Sequence, residues 1–285
     1  MVDFDPFSRD FFDDPYETYR QLRHESPCFH SERWDFYAFS RFEDLVRLHR
    51  DPERFTSTHG LTYEQLSDPN HDDSLNSLIM MDPPEHTRYR KLVSRSFTPR
   101  AMAGYEDMIR SLMAEYLDPL MDRDEFDLVG EFSAPFPVEI ICAILGIDDR
   151  EQRQRIRHLA DITLTREEGQ STGGDAARDA QIEQGMLFYE YVQHRRAHPS
   201  DDMCTALIEA TVETEDGDTK ALDDAEIAGF CSLLGAAGSE TVTKAVANAA
   251  VLFHRNPDQW QEVKDDPTKI PAAVEEVVST DVVVA

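Results

Sequence analysis

One stretch restricts the fold of this chain more than any other: an apolar run that opens at Asp223 and closes at Asn256-Pro257. Asp223 followed by Glu226 three residues later resembles a capping box. Apolar residues then recur at Ile227, Phe230, Leu233, Leu234, Val242, Val246, Ala249, Ala250 and Phe253, and Asn-Pro stops the pattern. A helix of about 30 residues is ~45 Å long, enough to cross a whole domain. Its mixed faces point to burial rather than to a surface stripe.

Inside that run lies Ala237-Gly238-Ser239-Glu240-Thr241. Gly235 and Gly238 each cost about 1 kcal/mol relative to Ala in a helix interior, and Thr241 can turn its hydroxyl onto the carbonyl four residues earlier and bend the helix. The small residues would let a flat ligand lie against the backbone, while Glu240 and Thr241 are suited to pass protons to it. Taken alone, the same acid and hydroxyl read equally well as a satisfied polar pair in a buried helix.

A second segment shifts that balance. Asp82-Pro83-Pro84-Glu85 places prolines and an acid where a helix begins, and His86 and Arg90 then share a face four residues apart. From His86 to Arg100 there is no Asp or Glu, yet Arg88, Arg90, Lys91, Arg95 and Arg100 are present. In a chain of 57 acids against 28 bases this is a local anion-binding segment. A ring N–H and a forked guanidinium on one face suit carboxylates or phosphates.

The two segments, in this order, resemble two signature regions of the cytochrome P450 haem-thiolate monooxygenases. Asp13-Asp14-Pro15-Tyr16, Asp51-Pro52-Glu53-Arg54-Phe55 and Asn256-Pro257-Asp258-Gln259-Trp260 extend the likeness over essentially the whole chain. The resemblance implies a mainly α fold with a small β-sheet element and haem b (heme b) as cofactor. It implies that His86 and Arg90 hold the haem propionates, and that Ala237 and Gly238 face the cofactor. Glu240 and Thr241 would be the catalytic pair, handling dioxygen and its protons. It further implies a small organic substrate and a ferredoxin-like or flavin electron donor that docks near the basic helix. Residues 59–77 and the two helices around 166–175 would cover the substrate channel.

The family's iron ligand is a cysteine in a Phe-x-x-Gly-x-x-x-Cys loop, and none follows Thr241 here, so no metal ligand is assigned. The expected Glu-x-x-Arg of the helix over Pro271–Val278 reads Glu276-Val277-Val278-Ser279. These departures predict one domain over 1–285, incomplete at its C-terminus. They leave two alternatives open: a non-catalytic, truncated or frameshifted remnant that does not bind haem normally, and a protein that keeps an anion or haem by His86 and Arg90 alone.

The four cysteines, Cys28, Cys142, Cys204 and Cys231, show neither a disulfide nor a zinc pattern and are read as core thiols of a cytoplasmic protein. The histidines other than His86, His194 and His198 among them, are read as showing no metal-ligand spacing and are assigned to the surface or to loops, and Trp34 and Trp260 to packing. No apolar run is long enough for a membrane span. The net charge of −29 excludes nucleic acid as a partner. Only Lys91, Lys220, Lys244, Lys264 and Lys269 are lysines, and so acidic a composition predicts a chain that is stabilised by salt.

Periodicity predicts helices over 16–25, 42–50, 101–121, 132–145, 149–165 and 176–196, with a mobile loop over 166–175. A strand over Trp34–Phe39 is expected to pair with Cys28–Ser31.

Overall fold

The computed structural model describes residues 2–67, 77–165, 174–213 and 217–281. Contacts gather the chain into two compact units, one of residues 1–90 with 162–180 and one of 91–161 with 181–285.

The first unit opens with α1 (Arg9–Asp13) and α2 (Tyr16–Glu25). A hairpin of β1 (Cys28–Ser31) and β2 (Phe36–Phe39) follows, antiparallel with Cys28 opposite Phe39. The second strand starts two residues later than predicted, because Trp34 and Asp35 make the turn and Asp35 adopts the left-handed region at φ 48°. Aromatic rings hold the amino-terminal segment on this hairpin. Phe4 meets Phe11, Phe29 and Phe36 edge-on at 5.2, 5.5 and 6.3 Å. Trp34 packs against Phe7 and donates its ring N–H to Asp5 at 3.2 Å. Next come α3 (Phe42–His49), α4 (Tyr63–Ser67) and a 3-10 turn at Leu78–Met80. Then α5 (Glu85–Ser96) runs from the first unit into the second.

The second unit continues with α6 (Pro99–Ala103) and α7 (Glu106–Leu117) where the periodicity predicts a single helix over 101–121. The helix breaks because Gly104 and Tyr105 bond back only three residues, to Ala101 and Met102 at 3.0 Å each, and Pro119 turns the far end into a 3-10 turn. A π turn at Val129–Ser133 leads into α8 (Pro135–Leu145). That helix starts three residues later than predicted, at a proline suited to the first helical position. It is the most deeply buried helix, and Gly146 ends it at φ 85°. α9 (Arg150–Leu164) and α10 (Gly174–Ala197) both cross between the units. The predicted loop over 166–175 lies outside the described residues apart from Gly174 and Asp175, which open α10.

α11 (Met203–Glu209) and a second hairpin of β3 (Thr211–Glu213) and β4 (Thr219–Ala221) precede α12 (Asp224–Arg255). The chain then forms α13 (Pro257–Asp265) and α14 (Ile270–Asp281). α12 packs on α8, α11, α13 and α14. At the crossing with α8, the stacked rings of Phe132 and Phe136, 5.0 Å apart, form a core with Leu120 against which Val246, Ile140 and Tyr116 pack. Phe253 and Trp260 close the turn from α12 into α13 with ring centroids 4.7 Å apart. The architecture is thus mainly α with small antiparallel hairpins. Among the described residues no helix is long and apolar enough to cross a membrane.

Candidate functional site

The capping box that opens α12 is present in both directions. Asp223 accepts from the Glu226 N–H at 2.8 Å, and Glu226 accepts from the Asp223 N–H at 2.7 Å. The helix then runs without interruption through the Gly235–Thr241 segment. Three hydroxyls turn onto carbonyls of the same helix there: Ser239 to Ala236 at 3.1 Å, Thr241 to Ala237 at 2.8 Å, and Thr243 to Ser239 at 2.8 Å. The Thr241 bond is the one its spacing predicts. Thr243, which no motif pointed to, also reaches the Ser133 carbonyl at 2.8 Å and ties α12 to the π turn before α8.

The two glycines have a packing cause. A Cβ on Gly238 would lie 2.7 Å from both Cδ1 and Cγ1 of Ile141, and one on Gly235 would lie 3.3 Å from the buried Phe188 ring. Gly238 therefore admits α8 rather than leaving an empty groove. Ser239 and Cys231 face the core, whereas Ala237 and Thr241 are exposed. Glu240, half-buried, pairs with Lys244 one turn on at 2.5 Å.

The start of α5 is secured by Asp82, which accepts from the Thr56 hydroxyl at 2.5 Å and the Ser57 N–H at 3.1 Å. His86 is half-buried and Arg90 exposed, one helical turn apart. These two belong to the first unit, and Ala237, Gly238, Glu240 and Thr241 to the second.

No family model matches the chain. Over 277 residues, however, it is 35% identical to cytochrome P450 123 of Mycobacterium tuberculosis, covering 97% of this chain and 67% of that protein. This chain belongs to the cytochrome P450 family. Cytochrome P450 130 of the same organism is 34% identical over 272 residues, covering 93% of this chain and 65% of its own length. This P450 chain thus spans about two thirds of the length of these relatives. Among solved structures, cytochrome P450 CYP109Q5 from Chondromyces apiculatus superposes with a TM-score of 0.80 at 27% identity, covering 97% of this chain and 68% of that one. Mycobacterium marinum CYP268A2, solved in complex with pseudoionone, gives 0.80 at 28% identity over 98% and 70%.

For a P450 the thiols matter most, since a thiolate is the family's iron ligand. Cys142, Cys204 and Cys231 are buried, as the sequence predicts. Burial pushes the Cys142 thiol up to about 12. A hydrogen bond with Cys204 and burial raise Cys231. Cys28 is not a core thiol: it is exposed on β1. Its strand is a short hairpin edge whose aromatic cover goes to Phe29 and Phe36 instead. Among the described residues no three His, Cys, Asp or Glu side chains gather to hold a metal ion. His86 and Arg90, an imidazole and a guanidinium one turn apart on α5, are donors of the kind that carboxylates accept from. Ser279, in place of the arginine expected near Glu276, turns its hydroxyl onto the Glu276 carbonyl at 2.9 Å.

Proposed function

We propose that this chain carries the haem-anchoring and oxygen-handling parts of a P450 monooxygenase acting on a small organic substrate. The observation that carries the reading is the exposed Thr241 hydroxyl, oriented by the Ala237 carbonyl at 2.8 Å, with an acid beside it in the chain. Held in that way, the hydroxyl can relay a proton without any motion of α12. Glu240 would pass on a proton that it first takes up from solvent; its carboxylate is paired with Lys244 at 2.5 Å and must leave that pair to do so. Ala237 and Gly238 keep this part of the helix slender. His86 and Arg90 would bind the propionates through an N–H and a forked guanidinium. When bound, haem supplies dioxygen activation and the insertion of one oxygen atom into a C–H bond. A ferredoxin-like or flavin donor would recognise the other cations of α5 and α6, Arg88, Lys91 and Arg100, because charge complementarity speeds encounter.

The thiols favour a second reading, a P450-fold chain that does not bind haem in the usual way: three of the four cysteines are buried and the fourth lies on a hairpin. Hemin titration of the 285-residue chain, followed by a reduced carbon-monoxide spectrum, separates the two. The first reading expects saturable binding that His86→Ala and Arg90→Ala both weaken, with no thiolate-type Soret band. Binding indifferent to both substitutions, or none at all, leaves the second. A thiolate-type band would overturn both by showing that one of the four cysteines reaches the iron.

A further inference from the structure

The C-terminal end of α10 holds a pair of side chains for which the monooxygenase reading has no use. His194 and His198 are four residues apart, so they share one helical face, and both are exposed. Their rings stack with centroids 4.6 Å apart and planes inclined at 29°. In the sequence both read as surface residues without metal-ligand spacing, whereas the structure brings the two rings side by side.

A second contact orients one of the rings. Nδ1 of His198 lies 3.2 Å from the His194 carbonyl oxygen, which also accepts the His198 backbone N–H at 2.9 Å. A carbonyl oxygen only accepts, so Nδ1 must carry the proton in this contact and Nε2 keeps a lone pair. Donation of the other ring N–H to a backbone carbonyl is the usual outer support of a metal-bound imidazole.

We propose that His194 and His198 form a two-ring chelate for a divalent transition-metal ion of the zinc, nickel or copper class. Imidazole nitrogens select these ions, whereas magnesium and calcium prefer oxygen donors. For both rings to reach one ion at about 2.0–2.1 Å, the His194 ring has to turn out of the stack along its broad χ2 torsion, while the His198 ring keeps its Nδ1–H on the His194 carbonyl. The electrostatic setting favours a cation. Glu190 stands one turn before His194, and both line a cleft of about 490 Å³ together with Asp148, Asp149 and Arg195. Arg195, the cation nearest in sequence, is already engaged. It pairs with Asp202 at 3.0 Å and donates to the Gly146 carbonyl at 2.7 Å, the Tyr191 hydroxyl at 2.8 Å and, more loosely, the His198 carbonyl at 3.3 Å, so its charge is offset by Asp202 and its donors are spent on oxygens away from the rings. Among the described residues no third histidine, cysteine or carboxylate gathers with the two rings, so water would fill the remaining positions. The ion would clip the last turn of α10 to the chain leaving it at His198-Pro199.

The test is calorimetric titration of the untagged 285-residue chain with nickel and with zinc, in chelator-stripped buffer containing excess magnesium to saturate sites that merely collect acids. The expected result is one tightly bound nickel or zinc ion per chain that magnesium does not displace. Removing an outer partner alone costs about ten- to a hundredfold in affinity, so His194→Ala and His198→Ala should each weaken binding at least about tenfold. Both positions are exposed, and the metal-free variants should melt as the wild type does. Should His198→Ala lose its fold, His198→Gln keeps the bulk and polarity and faces the same two outcomes. The proposal fails if magnesium abolishes nickel and zinc binding, or if the histidine variants bind either ion as tightly as the wild type.

Discussion

Gly238→Ala in the 285-residue chain discriminates between two reasons for a glycine at that position. If the residue only leaves a groove for a ligand, alanine should stabilise the unliganded chain by about 1 kcal/mol, the gain in helix propensity. The packing predicts the opposite sign. The new methyl would lie 2.7 Å from Cδ1 and Cγ1 of Ile141, against a normal carbon–carbon separation of about 3.5–4.0 Å. Roughly 1 Å must be found, either by Ile141, whose β-branched side chain is stiff about χ1, or by a shift of α8. Overpacking of this kind costs typically about 1–3 kcal/mol, so after the propensity gain the net effect is about 0–2 kcal/mol of destabilisation. Gly229→Ala, with nothing within 4 Å of the new methyl, is the control and should stabilise by about 0.5–1 kcal/mol. Gly235→Ala, at 3.3 Å from the Phe188 ring, should fall between the two. Urea denaturation followed by circular dichroism measures all three. In an Ile141→Ala background the clash is gone, and Gly238→Ala should become stabilising, a coupling of about 1–3 kcal/mol. A Gly238→Ala gain equal to that of Gly229→Ala, or zero coupling in the cycle, refutes the packing account.

Thiol titration with a disulfide reagent at pH 8 should modify Cys28 alone in the native chain and all four cysteines after denaturation; a second fast native thiol contradicts the burial described. Burial raises the Cys142 thiol from about 9 to about 12, so the native state keeps a proton that the unfolded chain loses, and stability should fall as pH rises from 9 towards 12; a flat profile there refutes it. Arg153, largely buried, pairs with Glu139 at 2.6 Å and donates to the Ile147 carbonyl at 2.6 Å. Arg153→Ala should therefore cost about 1–3 kcal/mol, and Arg153→Met with Glu139→Leu should recover most of it; equal loss in the single and double variants would show that the pair is not the cause. The melting temperature should rise between low salt and multimolar potassium chloride, where the screening length falls to about 3 Å, because the chain carries a net charge of −29; equal melting temperatures remove the case for salt stabilisation.

The features that could be read in advance were those whose cause lies within one or two turns of chain. The ends of α12 are set by Asp223 with Glu226 and by Asn256-Pro257, all local. The bond from Thr241 to Ala237 depends on a spacing of four. The first hairpin follows from two short aromatic runs. Two further spacings of four are equally local: Glu240 with Lys244, and His194 with His198, a pair that the sequence alone suggests has no common role. In both, a side chain that looked complete as an acid or as a surface ring turned out to have a neighbour on its own helical face.

What could not be read was whatever depends on a distant partner. The weakness of 101–121 as one helix is a matter of Gly104 and Pro119, but the burial of α8 depends on α12 lying against it. The same holds for Gly238. The sequence shows that a glycine weakens a long helix there, which is an anomaly without a direction, since a ligand and a second helix both need a missing side chain. Ile141 supplies the direction, and it is remote in sequence. Ile141 lies where a Cβ on Gly238 would sit, so the missing side chain answers to packing, while Ala237 and Thr241 are exposed positions of the same turn. The Thr241 hydroxyl is held by its own helix through the Ala237 carbonyl, and the neighbouring glycine acts one step back, by letting Ile141 of α8 lie against that segment.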